Sequence, residues 1–447
     1  MDRPLRLLRY NTGTDKQAFI QFKDNFDAVI FNAAIVAWSG ASVADLVSVH
    51  KQQYIIDPQT HIFQHDISAI QSDKTGEIKK SVAKYLDTMP DKLKKIVLEQ
   101  KRAFLSDDIS NSIDDLVAST YDFETEYINK YIQKKEYDKY LAFAKVGPTP
   151  KLVIAPYFML KKEYANGEID TWLHINGQCL EKFSQKNAGK HQVSAQLVLD
   201  KEILLYDDIP NLIEKYYSAN SCDYVFVWIN NFNSFFATPK EQVGFFNLLK
   251  AFNGLNIKPI MSYGGYDAIL LCNKGIANRL YGVAQSVGYG EAREITPVGG
   301  GLPVNKYYLL PTHQRLKFGD AANILTEKGY FSRQESNEVY ANMYYEKICS
   351  CKQCQKIIKK DIDNFKLYNE SIPFEISTKK GKIARNRPTQ NASLISALHF
   401  LYCKVNEWDG IMKKDRNTLL QELLDGIREY TPEQYNSVNA WCDLYGK

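Results

Sequence analysis

Between residues 27 and 286 the chain repeats one pattern: a short run of β-branched and aromatic residues, a polar or Gly-containing turn, then a longer segment with apolar residues at helical spacing. The runs are 27–37 "DAVIFNAAIVA", 53–57 "QYIID", 151–158 "KLVIAPYF", 192–199 "QVSAQLVL", 223–229 "DYVFVWI", 258–263 "KPIMSY" and 279–286 "RLYGVAQS". Segments 201–218 and 239–252 carry the helical spacing between them. Strand, helix, strand, helix is the order that parallel pairing demands, because a parallel neighbour is reached only by a long crossover. Seven or eight such units in about 300 residues predict an α/β fold, a (β/α)8 TIM-type barrel closed on itself.

The stretch from 57 to 151 is too long for one crossover. Residues 72–146 read as an inserted set of charged amphipathic helices, structural or partner-contacting in role. Residues 287–340 are dense in Gly and Pro and predict irregular loops, with one strand at Tyr307 and Tyr308 laid against the barrel's end. The Gly-rich "PVGGGLP" at 297–303 lacks the Lys-Ser/Thr of a phosphate loop and is read as a turn. The expected division is a barrel over 1–340 and a C-terminal zinc-binding helical module over 341–447.

Charge narrows the partner only locally. The 56 basic residues nearly balance 52 acidic ones, so any nucleic-acid surface must be a patch. The first residues, "MDRPLRLLRYNTG", lack the apolar core of a secretory signal, and no apolar stretch is long enough for a bilayer. A cytoplasmic protein with no membrane partner is expected. Cysteines 179, 222, 272, 403 and 442 are scattered in apolar surroundings and read as buried thiols.

The other three cysteines fall together in "KICSCKQCQK". Cys349, Cys351 and Cys354 lie within six residues, a spacing that lets three sulfurs converge on one tetrahedral centre. Zinc is the expected ion. His399, in the helix-like "SLISALHFLYCKV", is the candidate fourth ligand, with Cys403 one turn later as its competitor. Four protein ligands make such a site structural, since no position remains for water.

Parallel strands followed by C-x-C-x2-C and a later helical His resemble the tRNA-guanine transglycosylase (queuine tRNA-ribosyltransferase) superfamily. The resemblance implies a barrel carrying a zinc module, an aspartate nucleophile acting at ribose C1′, and exchange of a guanine in a nucleic acid, tRNA or DNA, for a 7-deazaguanine-type base. It also admits DNA-modifying relatives from anti-phage defence clusters. "YIIDPQTHIFQ" is similar to the family's strand-end Asp followed by Phe-Gln, which points to Asp57, Phe63 and Gln64, although the family's glycines are absent. Asp57 at a strand's C-terminal end lies where barrel active sites are built, and would accept a purine's N–H groups or move a proton; its alternative is a turn cap before Pro58. Replacing it with Asn is expected to weaken base binding and leave folding nearly intact.

In the late unit "IMSYGGYDAILLCNKG", Gly264 and Gly265 would admit a ligand against the backbone, and Asp267 is a carboxylate or an N-cap. No Asp stands where the family keeps its nucleophile, so Asp267 and Glu291, the latter near Arg293, are the candidates. Gln196 and Asp200 stand in for the family's base-reading residues, and Trp228, Tyr263 and Tyr266 could stack on a purine. The segment "STKKGKIARNRP" places Lys379, Lys380, Lys382, Arg385 and Arg387 in what reads as a basic loop suited to phosphate contacts. The alternative to an enzyme is a catalytically silent paralogue that docks nucleic acid, a second copy of the chain or a partner subunit.

Overall fold

The computed structural model describes residues 3–10, 13–72, 75–132, 149–219, 222–288, 291, 293–295, 304–378 and 381–446. Eight parallel strands stand at its centre: β1 Leu5–Tyr10, β2 Ala28–Asn32, β3 Tyr54–Asp57, β4 Val153–Ile154, β5 Val193–Asp200, β6 Tyr224–Asn230, β7 Lys258–Met261 and β8 Gly282–Ser286. Each pairs with its neighbours and β8 returns to β1. A bridge between Tyr54 and Pro150, with the Lys151 amide donating to the Tyr54 carbonyl at 2.7 Å, joins β3 to β4. The fold is a (β/α)8 barrel, and a short rung at Met159–Leu160 extends the β4 side along β5.

Both faces of these strands are buried, which is why they read as near-continuous apolar runs. Leu7, Ile30, Ile55, Val198, Phe226 and Ile260 fill the inside, while Leu8, Val29, Phe31, Leu197 and Val227 face the helices. Two expectations need correction. The run at 27–37 is strand only to Asn32; from Ala33 it continues directly as helix, because "AAIVAW" carries no turn residue and no strand partner extends past Asp57. The first strand, "LRLLRY", lay outside the recognised runs because two arginines interrupt it, and Arg9 is one of the largest fully buried side chains.

Helices α1 Gly13–Phe22 and α2 Ala33–Val49 follow β1 and β2. Between β3 and β4 come α3 Lys80–Leu86, α4 Asp91–Leu98, α5 Ser106–Ser110 and α6 Ile113–Ile132; residues 73–74 and 133–146 of the expected insertion lie outside the described residues. Helix α6 packs between α2 and α7 Asn166–Asn187, and so serves as that unit's crossover helix. Helices α8 Ile209–Tyr217 and α9 Pro239–Gly254 follow β5 and β6. The unit after β7 has only α10 Tyr266–Leu270.

After β8 an antiparallel pair, β9 Lys306–Leu309 and β10 Gln314–Lys317, leads into α11 Phe318–Glu327, α12 Asn337–Lys347 and α13 Lys352–Ile358. The long α14 Gln390–Lys413 packs on α1 and α10, completing the helical layer where the local crossover is too short. Arg6 pairs with Asp409 at 3.1 Å, and Asn273 donates to the Ile411 carbonyl at 2.8 Å. Helices α15 Arg416–Tyr430 and α16 Tyr435–Gly446 end the chain's described part. The tail is not wholly helical as expected. Its basic stretch forms an antiparallel hairpin, β11 Ser371–Thr378 and β12 Gly381–Pro388, because alternating Ile, Phe and Arg residues satisfy a two-residue period better than a loop does. No helix among the described residues is long and apolar enough to cross a membrane.

Candidate functional site

At the C-terminal end of the barrel, the inward positions that close β1 and β3 carry opposite charges. Arg9 Nη1 donates to Asp57 Oδ2 at 2.9 Å, and Arg9 Nε donates to the Ser262 carbonyl at 2.8 Å. Asp57 Oδ1 accepts from the Tyr157 hydroxyl at 2.6 Å and from the Gln59 amide at 3.3 Å. Both charges are fully buried. Burial works against the guanidinium charge, but Tyr263 and Asp57 more than offset it, so the Arg9 pKa is raised. Burial, followed by the Asp57 charge, pushes the Tyr157 hydroxyl well above its ordinary value. Asp57 is therefore built into the barrel interior, so its replacement is now expected to cost stability instead of leaving folding nearly intact.

Aromatic side chains surround this pair. Tyr263 lies 4.5 Å below the Arg9 guanidinium and 4.7 Å from Trp228, and the Arg293 guanidinium bonds to the Tyr263 hydroxyl. Past Asp57 the chain turns through Gln59, whose φ of 47° is a conformation glycine takes at little cost. The 3-10 turn Thr60–Gln64 that follows returns His61 over the site. His61 stacks on Tyr157 at 5.2 Å and meets Trp228 edge-on at 5.4 Å. Burial, helped by His65, Arg293 and Arg9, drives its pKa well down, so the imidazole is neutral.

Several polar atoms here have no partner among the described residues: both His61 nitrogens, Arg9 Nη2 and Ser262 Oγ. Gln196, on the same inward face of β5 as Val198, is buried with both amide atoms unpartnered. Buried donors and acceptors are normally satisfied, so such a concentration marks a place where a polar ligand or water belongs. Asp200 closes β5 and accepts from Asn230 at 2.6 Å and from the Lys162 amide at 2.9 Å. Above the mouth, the Arg293 carbonyl accepts from the Asn231 amide and the Trp228 indole, and Ile295 is buried among the inward side chains.

The other expected site residues gather beside the mouth, under the tail. A Cβ on Gly265 would meet Asp267 Oδ1 at 2.8 Å and Glu291 Cδ at 3.2 Å, so those two carboxylates flank that glycine. A Cβ on Gly264 would strike Ala268 and Val283, which makes its close approach one of packing within the chain. Tyr266 stacks on His313 at 3.6 Å. Glu291 pairs with Lys404 of α14 at 3.0 Å, and Lys404 also pairs with Glu407 at 3.1 Å. Burial raises the Glu291 pKa and Lys404 draws it back. Of the basic cluster, Lys382, Arg385 and Arg387 stand exposed on the hairpin; Lys379 and Lys380, like the Gly-rich 297–303, lie outside the described residues.

The cysteine triplet and His399 meet as the spacing predicts. Their ligand atoms all lie within 4.8 Å of one another, in a buried cluster that could hold a metal ion. His399 Nδ1 is 3.4 Å from Cys351 Sγ and 3.3 Å from Cys354 Sγ, close to the ~3.5 Å edge of a tetrahedron with zinc-type bond lengths. His399 Nε2 donates to the Tyr308 carbonyl at 2.8 Å, leaving Nδ1 with its lone pair toward the sulfurs, the orienting bond that ligating histidines use. The amides of Cys351 and Cys354 point at Cys349 and Cys351 sulfurs, and the Tyr368 hydroxyl donates to Cys354. Cys403 remains adjacent, 3.8 Å from Cys349 and 3.7 Å from His399 Nδ1. The residues fit a four-ligand metal site.

Arg9, Tyr157 and His61 escaped sequence reading. A lone charge at an inward position of an apolar strand was the available signal for Arg9, and the turn directly after a strand-end Asp-Pro was the signal for His61. Neither a family model nor a curated protein matches the chain. Among solved structures it is similar to xylanase B from Clostridium stercorarium F9, at 10% identity over 64% of this chain and 86% of that chain, with a TM-score of 0.32; at that level the likeness bears on neither the site nor its chemistry.

Proposed function

We propose that this chain is a guanine transglycosylase-like enzyme that exchanges a guanine base in tRNA or DNA for a 7-deazaguanine-type base. One observation carries the reading: a buried carboxylate, Asp57, stands among Tyr157, Trp228 and Tyr263 with His61, Arg9 Nη2 and Ser262 Oγ left without partners. A purine offers flat faces for the rings and an edge of donors and acceptors for the unpartnered atoms. Asp57 and Gln196 take the base's N–H groups, and neutral His61 exchanges a proton with it. In the first step a carboxylate oxygen of Glu291 or Asp267 bonds to ribose C1′ while the C1′–N9 bond breaks, and guanine leaves as its N9 anion, which takes a proton from water. In the second, N9 of the incoming base displaces the carboxylate from C1′ and its proton passes to neutral His61, which releases it to solvent. A zinc ion at Cys349, Cys351, Cys354 and His399 would tie the cysteine loop to α14 within the tail, and eight cysteines free of disulfides suit a cytoplasmic setting.

A second reading, the silent paralogue, is favoured by the Arg9 pairing of Asp57 and by Ile295 buried in the mouth. Incubation with radiolabelled guanine and separate pools of tRNA and duplex DNA decides between them. Incorporation into either pool supports the enzyme and names its polymer. Binding without incorporation favours the paralogue.

A further inference from the structure

The hairpin β11–β12 is built unlike the rest of the molecule. Every residue over 371–375 and 382–387 is exposed, including Ile372, Phe374 and Ile383 at 41%, 38% and 39%. Register decides which side chains share a face. Ile372 lies opposite Arg387 and Phe374 opposite Arg385, and Ile383 is two residues from Arg385 on the same strand. One face therefore presents Ile372, Phe374, Ile383, Arg385 and Arg387, and the Arg387 guanidinium lies 4.9 Å from the Phe374 ring. The ribbon's acid, Glu375, is on the other face and pairs there with Lys382 at 3.2 Å. The apolar face is thus cationic without a compensating carboxylate of its own.

We infer that this ribbon is a DNA-docking element, with its Ile372–Phe374–Arg385–Arg387 face lying in the major groove of a B-form duplex. The inference rests on the nucleic-acid reading above and specifies how that partner is held. Charge complementarity selects a polyanion over an apolar protein partner, and the apolar side chains select one with bases within reach. Eight residues per strand give a ribbon ~27 Å long. A B-form major groove, about 12 Å wide, admits a two-stranded ribbon, whereas the A-form groove of duplex RNA is too narrow for side chains to enter. The arginines meet phosphates or guanine edges, and Phe374 with Ile372 and Ile383 meets thymine methyls.

Fluorescence anisotropy with the full chain and one sequence prepared as duplex DNA, duplex RNA and single-stranded DNA tests this. Duplex DNA should bind at least tenfold tighter than the other two. Phe374→Ala should weaken it about tenfold at unchanged salt slope, and Arg385→Gln with Arg387→Gln should lower the log–log salt slope by about 2. Equal affinity for the three polymers, no measurable DNA binding, or indifference of DNA affinity to both variants would overturn it. Guanine incorporation separates the two claims. Ribbon-dependent DNA binding without incorporation leaves the ribbon standing and removes the enzyme, while DNA incorporation at full rate by both variants removes the ribbon.

Discussion

Replacing Asp57 with Asn tests whether the mouth carboxylate is part of the barrel's stability as well as its chemistry. The Arg9–Asp57 pair is separated by 2.9 Å, with side-chain exposures of 1% and 0%. At an effective dielectric constant of about 20 its Coulomb attraction is roughly 6 kcal/mol, much of which offsets the desolvation of both ions. Asn keeps an acceptor for the Tyr157 hydroxyl but leaves the guanidinium uncompensated, a loss of about 3–5 kcal/mol. With an unfolding entropy of about 2.1 cal/mol/K per residue, a chain of 447 residues melting as one unit loses about 1 °C per kcal/mol, so the midpoint should fall by about 3–5 °C. Differential scanning calorimetry reads this directly. The Arg9→Met variant should fall similarly, and the double variant by much less than the sum, because no charge is then stranded. An Asn variant that melts within 1 °C of the parent would show that Asp57 is hydrated at an open mouth, and the buried-pair argument would fail.

Elemental analysis should find one zinc per chain, and Cys351→Ser should lose it and loosen the tail while leaving the barrel's circular dichroism largely intact; a metal-free parent refutes the site. His65 is held neutral by burial and by Lys161, with its pKa lowered to about 4 against an ordinary 6.5. Below pH 6.5 the unfolded chain therefore binds a proton that the folded chain refuses, so about 3 kcal/mol present above that pH is lost as pH falls to about 4; His65→Gln should flatten this part of the melting-temperature profile. A Cβ on Gly426 would lie 1.8 Å from the Pro311 carbonyl oxygen, so Gly426→Ala should cost about 1–3 kcal/mol in a thermal melt, whereas Gly167→Ala, with open space, should change stability by less than about 0.5 kcal/mol.

Periodicity and spacing are local, and what they encode was legible. The recurring apolar runs specified a closed parallel barrel, since strands buried on both faces need no partner identified in advance to be recognised. The triplet Cys349, Cys351, Cys354 specified a metal-type cluster because three ligands on one short loop converge whatever surrounds them, and His399 followed from its place on a helix. Tertiary structure decided the rest. Arg9 and Asp57 are 48 residues apart and became a pair only through the inward alternation of β1 and β3. Glu291 was assigned to the mouth by its position after β8, but its partner, Lys404, arrives from a helix more than a hundred residues later. The basic stretch at 379–387 has the composition of a solvated loop; pairing of its residues 381–387 with 372–378 made them a ribbon strand and sorted the arginines onto one face with Phe374. A carboxylate's neighbours are set by which strands close the barrel, and that closure is a property of the whole chain.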